Sequence, residues 1–421
     1  MTKRTVSPQR YGTVALAALL LGAATACTAG QDRTDGGQRE PAGRIAHEAG
    51  AQQHTAPQSG AGETGAPVAT APRPGAPGAP RRSFTLVASG DVLPHDSIIR
   101  QSSADAGGDG YDFAPMLAGV RSVVSKADLA ICHMETVYGD ADGPYTGYPA
   151  FVSPPQVAAG LKATGYDSCS TASNHTLDAG ADGIRRTLAA FDKAGLAHAG
   201  SARTAQEAAR PALLKAGTAK VAQLAYTYGT NDYPLPDGQP WAVNLIDRRK
   251  IVADARAARK AGADVVVVSL HWGTEWQDEP DEQQLSLGRA LTASATAGRP
   301  DIDLILGTHA HVPQAYEKVN GTYVVYGMGD QIAGTMFNHD GAVDERGNMS
   351  SIGRFTFAPP AAPGGRWEVS KAEFVPQFFD PETNRVVNLG AQGRGYGGVR
   401  EHIRDVVLSR GAAKAGLTMG R

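Results

Sequence analysis

Cysteine is nearly absent from this chain of 421 residues. Its three copies, Cys27, Cys132 and Cys169, are too few for a disulfide scaffold or a thiolate zinc cluster. Charge of one sign is missing too. Forty Lys and Arg stand against 42 Asp and Glu, a formal net charge of -2. Without a basic stripe, nucleic acid is not an expected partner, and no whole-molecule field steers an anionic substrate. Long apolar runs are also lacking. The clearest N-terminal one, residues 14–24, is too short to span a bilayer comfortably. Any chemistry must therefore rest on oxygen and imidazole groups.

What is present begins with an address. Lys3, Arg4 and Arg10 precede the short apolar run, which ends in Ala24-Thr25-Ala26-Cys27. This reads as an export signal over residues 1–27. Cys27 is then the expected lipidation site, although Ala24-x-Ala26 also fits an ordinary signal-peptidase site. Residues 28–82 are rich in Gly, Pro and Ala, with few large apolar side chains. Such a stretch cannot bury enough surface to offset its ordering entropy. It is expected to be a disordered tether. The chain would then sit on the extracytoplasmic face of the cell membrane as a lipoprotein, or be secreted.

The texture changes at Ser83. Short apolar runs at residues 84–88, 128–132, 166–170, 264–270 and 303–306 alternate with helical spacing at 113–126, 184–191, 247–261 and 282–297. Pro154 and Pro155 open a further helix. This alternation predicts a layered α/β domain over residues 83–388. Asn320-Gly321 predicts a hairpin between residues 316–319 and 322–326. The Gly- and Arg-rich tail, 389–421, has no assignable place.

Six polar clusters follow predicted strands, where open α/β sheets build their sites. They are Gly90-Asp91, Glu135, Asn174-His175, His271, His309-x-His311 and Gly329-Asp330. A lone His after a strand is more often a hydrogen-bonded loop residue, and a lone Gly-Asp is usually a turn. Together they offer carboxylate, carboxamide and imidazole, which suit Mn, Fe or Zn. Asp91, Glu135, Asn174, His271, His309 and His311 are enough to hold two divalent metal ions about 3.5–4 Å apart.

Three blocks are specific: Asn174-His175-Thr176-Leu177-Asp178-Ala179-Gly180, His271-Trp272-Gly273-Thr274-Glu275, and Gly307-Thr308-His309-Ala310-His311-Val312-Pro313-Gln314. With Ala88-Ser89-Gly90-Asp91, they resemble the CapA family of poly-γ-glutamate capsule synthesis proteins, in the calcineurin-like metallophosphatase superfamily. The resemblance covers residues 84–331. It implies a four-layer α/β/β/α sandwich with a dimetal site. Asp91 and His311 would bind one metal, Asn174, His271 and His309 the other, and Glu135 would bridge. His175 would face the substrate as a hydrogen-bond donor or general acid. His133, Asp178, Glu275 and Asp330 would surround the ligands. The chain departs from the pattern at His133, where the family usually has Asn, and at Leu93, where the superfamily has His. His95 is the nearest imidazole that could compensate, and Asp330 is expected in a loop.

The resemblance implies processing of poly-γ-glutamate or a related polymer by a metal-dependent hydrolase or transferase, alongside a membrane synthase complex. A phosphoesterase acting on nucleotides or other phosphoesters is the alternative, and a non-catalytic polymer anchor is a third reading. Trp272 and Trp276 either line a groove or pack beside the site. Cys132 and Cys169 either form a disulfide or stay buried and free.

Overall fold

The apolar run at residue 84 opens β1 (Phe84–Val92), a strand long enough to carry Asp91 within it. There follow α1 (Asp96–Asp105), β2 (Leu129–Met134), α2 (Gln156–Thr164), β3 (Ser168–Ser170), α3 (Gly180–Ala194) and β4 (Ala197–Ala199). The four strands pair in parallel in chain order. The chain then builds a second sheet. Its elements are β5 (Ala212–Ala216), β6 (Ala219–Thr227), α4 (Arg248–Lys260), β7 (Val265–His271), α5 (Glu282–Thr292), β8 (Leu304–Thr308), β9 (Tyr316–Val319) and β10 (Thr322–Val325). Their order across the sheet is β9-β10-β8-β7-β6-β5. The chain returns to the first sheet with β11 (Asp330–Ile332), β12 (Met349–Ala358), β13 (Glu368–Asp380) and β14 (Arg385–Asn388). This computed structural model describes residues 81–362, 365–391 and 395–421, all within one compact unit. The expected export signal, Cys27 and all but the end of the expected tether lie outside the described residues.

Strand alternation divides the core into layers. Leu86, Ala88, Leu129 and Ile131 face Val265, Val267, Leu304 and Leu306 across the gap between the sheets. Val87, Ala130 and Cys132 face the other way, against Ile98, Leu161 and Phe191 from α1, α2 and α3. Val266, Val268 and Ile305 pack on Ile251, Ala255 and Leu291 from α4 and α5. The result is a four-layer α/β/β/α sandwich. The valine run of β7 is buried on both faces, as a central parallel strand requires. Asn320 and Gly321 take φ of 50° and 81° in the β9–β10 turn, the left-handed pair that Asn-Gly tolerates.

Three segments differ from the sequence reading or go beyond it. Within 113–126 only Arg121–Val124 is α-helical. The Met116 carbonyl accepts the Val386 N–H instead of an intrahelical one, and Gly119 backs directly onto the Val386 carbonyl. The helix expected over 282–297 stops at Thr292, and a two-residue ribbon, Ala295–Thr296 with Arg299–Pro300, follows. The tail that had no assignable place supplies α6 (Gly397–Leu408) and β15 (Leu417–Met419). β15 pairs with β13, while Ile403, Val407 and Leu417 join the core between the sheets. Cys132 and Cys169 lie opposite each other on β2 and β3, with Cα atoms 4.4 Å apart, and form a disulfide.

Candidate metal centre

The Gly90-Asp91 doublet is a strand feature and not a turn. Gly90 crosses against the Gly329 carbonyl, where a Cβ would collide. Register shifts at Asp91 in its pairing with both neighbours, a bulge of the kind that re-aims side chains beside sites. On one side Asp91 is level with His133 of β2. On the other it is level with Asp330, in β11 and not in the expected loop, because β11 extends the sheet beside the end of β1. Glu135 follows β2, His271 ends β7, and His309 and His311 follow β8. Both of these last histidines have left-handed backbone, φ 95° and 60°. Such conformations cost about 1–3 kcal/mol each away from glycine. The His309 N–H donates to Asp91 Oδ2 at 3.1 Å, which ties that turn to β1.

All six expected ligand residues meet. Asp91 Oδ1 lies 3.5 Å from His133 Nε2 and 3.7 Å from His271 Nδ1. Glu135 Oε1 lies 3.6 Å from His271 Nε2, which also donates to Asn174 Oδ1 at 2.8 Å. Oxygen or nitrogen atoms of Glu135, His309 and His311 lie within 4.8 Å of one another, and so do those of Asp91, Glu135, His311 and Asp330. His133 stacks on His271 at 4.7 Å and binds Ser170 Oγ through Nδ1 at 2.7 Å. Glu275 reaches within 3.9 Å of His311.

These atoms fit a metal by what they lack. Asp91 Oδ1, both oxygens of Glu135, Asp330 Oδ2, His133 Nε2 and His309 Nδ1 are buried without a hydrogen-bond partner. Each such atom costs about 1–3 kcal/mol. The ion-pair contacts of Asp91, Glu135 and Asp330 among the described residues are all with histidines. A divalent cation satisfies both the missing bonds and the uncompensated charge.

Burial pushes the Asp91 carboxyl up to about 8, and the Asp330 charge adds to the shift. Burial, followed by the Asp91 charge, lifts Glu135 well above the carboxylate range. Burial pulls His133 down to about 3 and holds His271 and His309 well below the ordinary value. His311 goes the other way: burial lowers it, but the charge and hydrogen bond of Asp330, together with the Glu135 and Glu275 charges, outweigh burial. Without metal, the folded chain keeps protons on Asp91 and Glu135 that the unfolded chain has released. Stability of the metal-free protein is therefore expected to fall from about pH 6.5 to 8. Below pH 6.5 the depressed histidines oppose this slope, because the unfolded chain protonates them first. Urea unfolding at the two pH values, with chelator and with saturating Mn2+, measures the effect. A metal-free protein more stable at pH 8 than at pH 6.5 contradicts it.

His175 has its own support. Its Nδ1 lies 2.6 Å from Asp178 Oδ2, and the ring stands edge-on to Phe151 at 4.7 Å. The same Asp178 oxygen accepts the Phe151 N–H at 2.7 Å. Two neighbours escaped the sequence reading. Asn231 accepts from Asn174 Nδ2 at 3.2 Å and approaches His175 Nδ1 at 3.5 Å. Tyr228, partly exposed, sets its ring 4.5 Å from that of His309. Both follow β6, so the strand-end rule could have found them. His95 belongs to none of the ligand-atom clusters among the described residues, and its Nδ1 is held by the Leu93 and Ala333 carbonyls. Trp272 is core, with its indole N–H on the Tyr326 carbonyl. Trp276 packs beside the site, 6.0 Å from His311.

The profile of the family described as "Bacterial capsule synthesis protein PGA_cap" matches residues 85–335. The chain belongs to this family. It is 28% identical over 204 residues to the PGA biosynthesis protein CapA of Bacillus subtilis, covering 47% of this chain and 52% of that one. It is 27% identical over 177 residues to the capsule biosynthesis protein CapA of Bacillus anthracis, covering 40% and 41%. The matches thus span about half the length of these relatives. Among solved structures, the chain is similar to the NAD nucleotidase of Haemophilus influenzae, at 13% identity and a TM-score of 0.40 over 80% of this chain and 64% of that one. The calcineurin-like phosphoesterase YfkN of Bacillus subtilis gives 13% and 0.39 over 77% and 100%. The family match contains every expected ligand from Asp91 to His311, together with His175 and Asp330.

Proposed function

We propose that this chain acts in poly-γ-glutamate capsule synthesis or processing, as a metal-dependent hydrolase or transferase of γ-glutamyl amide bonds. The observation that carries the reading is the set of unpartnered, buried carboxylate and imidazole atoms beside Asn174-His175, in a chain of the capsule family. Asp91 and His311 would hold one divalent cation and Asn174, His271 and His309 a second, with Glu135 between them. When bound, the cations supply positive charge that offsets charge developing on the scissile carbonyl. Asp178 holds His175 through Nδ1, so protonated His175 has Nε2–H to give to the leaving amine.

The chain would work outside the cytoplasm, held to the membrane through Cys27 and near a membrane synthase complex. Residues 3–27 support export, and the Cys132–Cys169 bond agrees with it, because such bonds persist in oxidising compartments.

The test incubates the Mn2+-loaded full chain with poly-γ-glutamate and follows polymer length by gel, with His271→Ala as control and a nucleoside monophosphate as the competing substrate. Shortening by the wild type and not by the variant is expected. An intact polymer with release of phosphate from the nucleotide would replace this reading with the phosphoesterase one.

A further inference from the structure

Asp330 plays no ligand role in the reading above, yet its position demands one. It lies level with Asp91 on the neighbouring strand. Its Oδ1 accepts the His311 Nδ1–H at 3.1 Å. Its Oδ2 is fully buried and has no partner. Orienting His311 therefore uses one oxygen and leaves the other unexplained.

Asp330 shares a cluster with Asp91, Glu135 and His311, in which one ligand atom of each residue lies within 4.8 Å of the others. Three carboxylates and a single imidazole make that cluster, and no Lys or Arg pairs with the three acids among the described residues. Leu93, just past β1, supplies no ligand and packs into an apolar cluster with Phe151, Ala333 and Met336.

We propose that Asp330 is a direct metal ligand through Oδ2, completing with Asp91, Glu135 and His311 an oxygen-rich position that takes Mn2+. The inference rests on the metal-centre reading and sharpens it. Carboxylate-rich sets suit Mn2+ and Mg2+, whereas imidazole suits Zn2+ and Fe. The Asn174, His271 and His309 position is of the second kind, so the two positions differ in preference.

Titrating Mn2+ into the metal-free full chain, with calorimetry and electron paramagnetic resonance of the bound ion, tests this. Wild type is expected to bind two equivalents and give the spectrum of a coupled pair. Asp330→Asn keeps an acceptor for His311 and removes the anionic oxygen. Losing the partner of a ligand already weakens metal binding 10–100-fold, so loss of the ligand itself should weaken one equivalent by about 100-fold or more and abolish the coupled spectrum. Glu275→Gln removes a nearby charge but none of the cluster's carboxylates, and is expected to keep both equivalents with a smaller loss of affinity than Asp330→Asn.

Two equivalents of unchanged affinity in Asp330→Asn overturn the proposal, as does an equal loss in Glu275→Gln. Absence of Mn2+ binding to the wild type sinks the metal-centre reading itself. Competition in the wild type covers the case in which Asp330→Asn does not fold. Zn2+ should displace one Mn2+ readily and the other only at much higher concentration. Displacement of both at the same Zn2+ concentration overturns the proposal.

Discussion

Replacing His175 with alanine is expected to lower turnover of the polymer by about 10²–10⁴-fold, the range for a lost general acid, with bound metal unchanged. The physical basis is the way the ring is held. Asp178 engages Nδ1 at 2.6 Å, and Phe151 fixes the ring plane edge-on. A ring held this way carries a proton at a defined place without itself entering the set of orphaned ligand atoms. The loss should fall on kcat with little change in KM. Asp178→Asn leaves the imidazole in place but weakens the contact that orients it through Nδ1, so an intermediate loss is expected. Steady-state kinetics with elemental analysis of each variant separates these effects. If His175→Ala loses metal in proportion to activity, the residue is a ligand or a support for one, and its role as proton donor is wrong.

Loading the metal-free chain with Mn2+ at a thousand times its dissociation constant is expected to stabilise the fold by about 4 kcal/mol per site. For a domain of this size that is a rise in melting temperature of roughly 6 °C per site. The expected gain is large because the folded protein already bears the cost of the site. Asp91, Glu135 and Asp330 are wholly buried, and four of their oxygens have no partner. The unfolded chain has no equivalent constellation to bind metal, so nearly all the binding energy appears as stability. Calorimetric melts with chelator, with Mn2+ and with Mg2+ measure it, and His271→Ala should retain only part of the gain. A melting temperature indifferent to every divalent cation would contradict the assignment of this cluster as a metal centre.

The way these residues assemble separates what is local from what is not. The sequence alone determined the alternation of buried strands and amphipathic helices, the Asn320-Gly321 turn, and the six residues that meet at the centre. Those features are legible because each is written within a few neighbouring positions. A run such as Val265–Leu270 can only be a buried strand, and His271 at its end must emerge at the strand's C-terminal edge. Tertiary structure decided whatever depends on pairing between distant segments. The β1–β11 register set Asp330 beside Asp91, and the β2–β3 register closed Cys132 on Cys169. The contact with Val386 took the Met116 carbonyl from the helix expected over 113–126, and β15 docked on β13 to draw the tail into the core. A single strand's pattern shows which face is buried. Which neighbour it meets, and at which residue, is settled only when the sheet forms, and at this centre that register sets Asp330, with one oxygen unpartnered, level with Asp91.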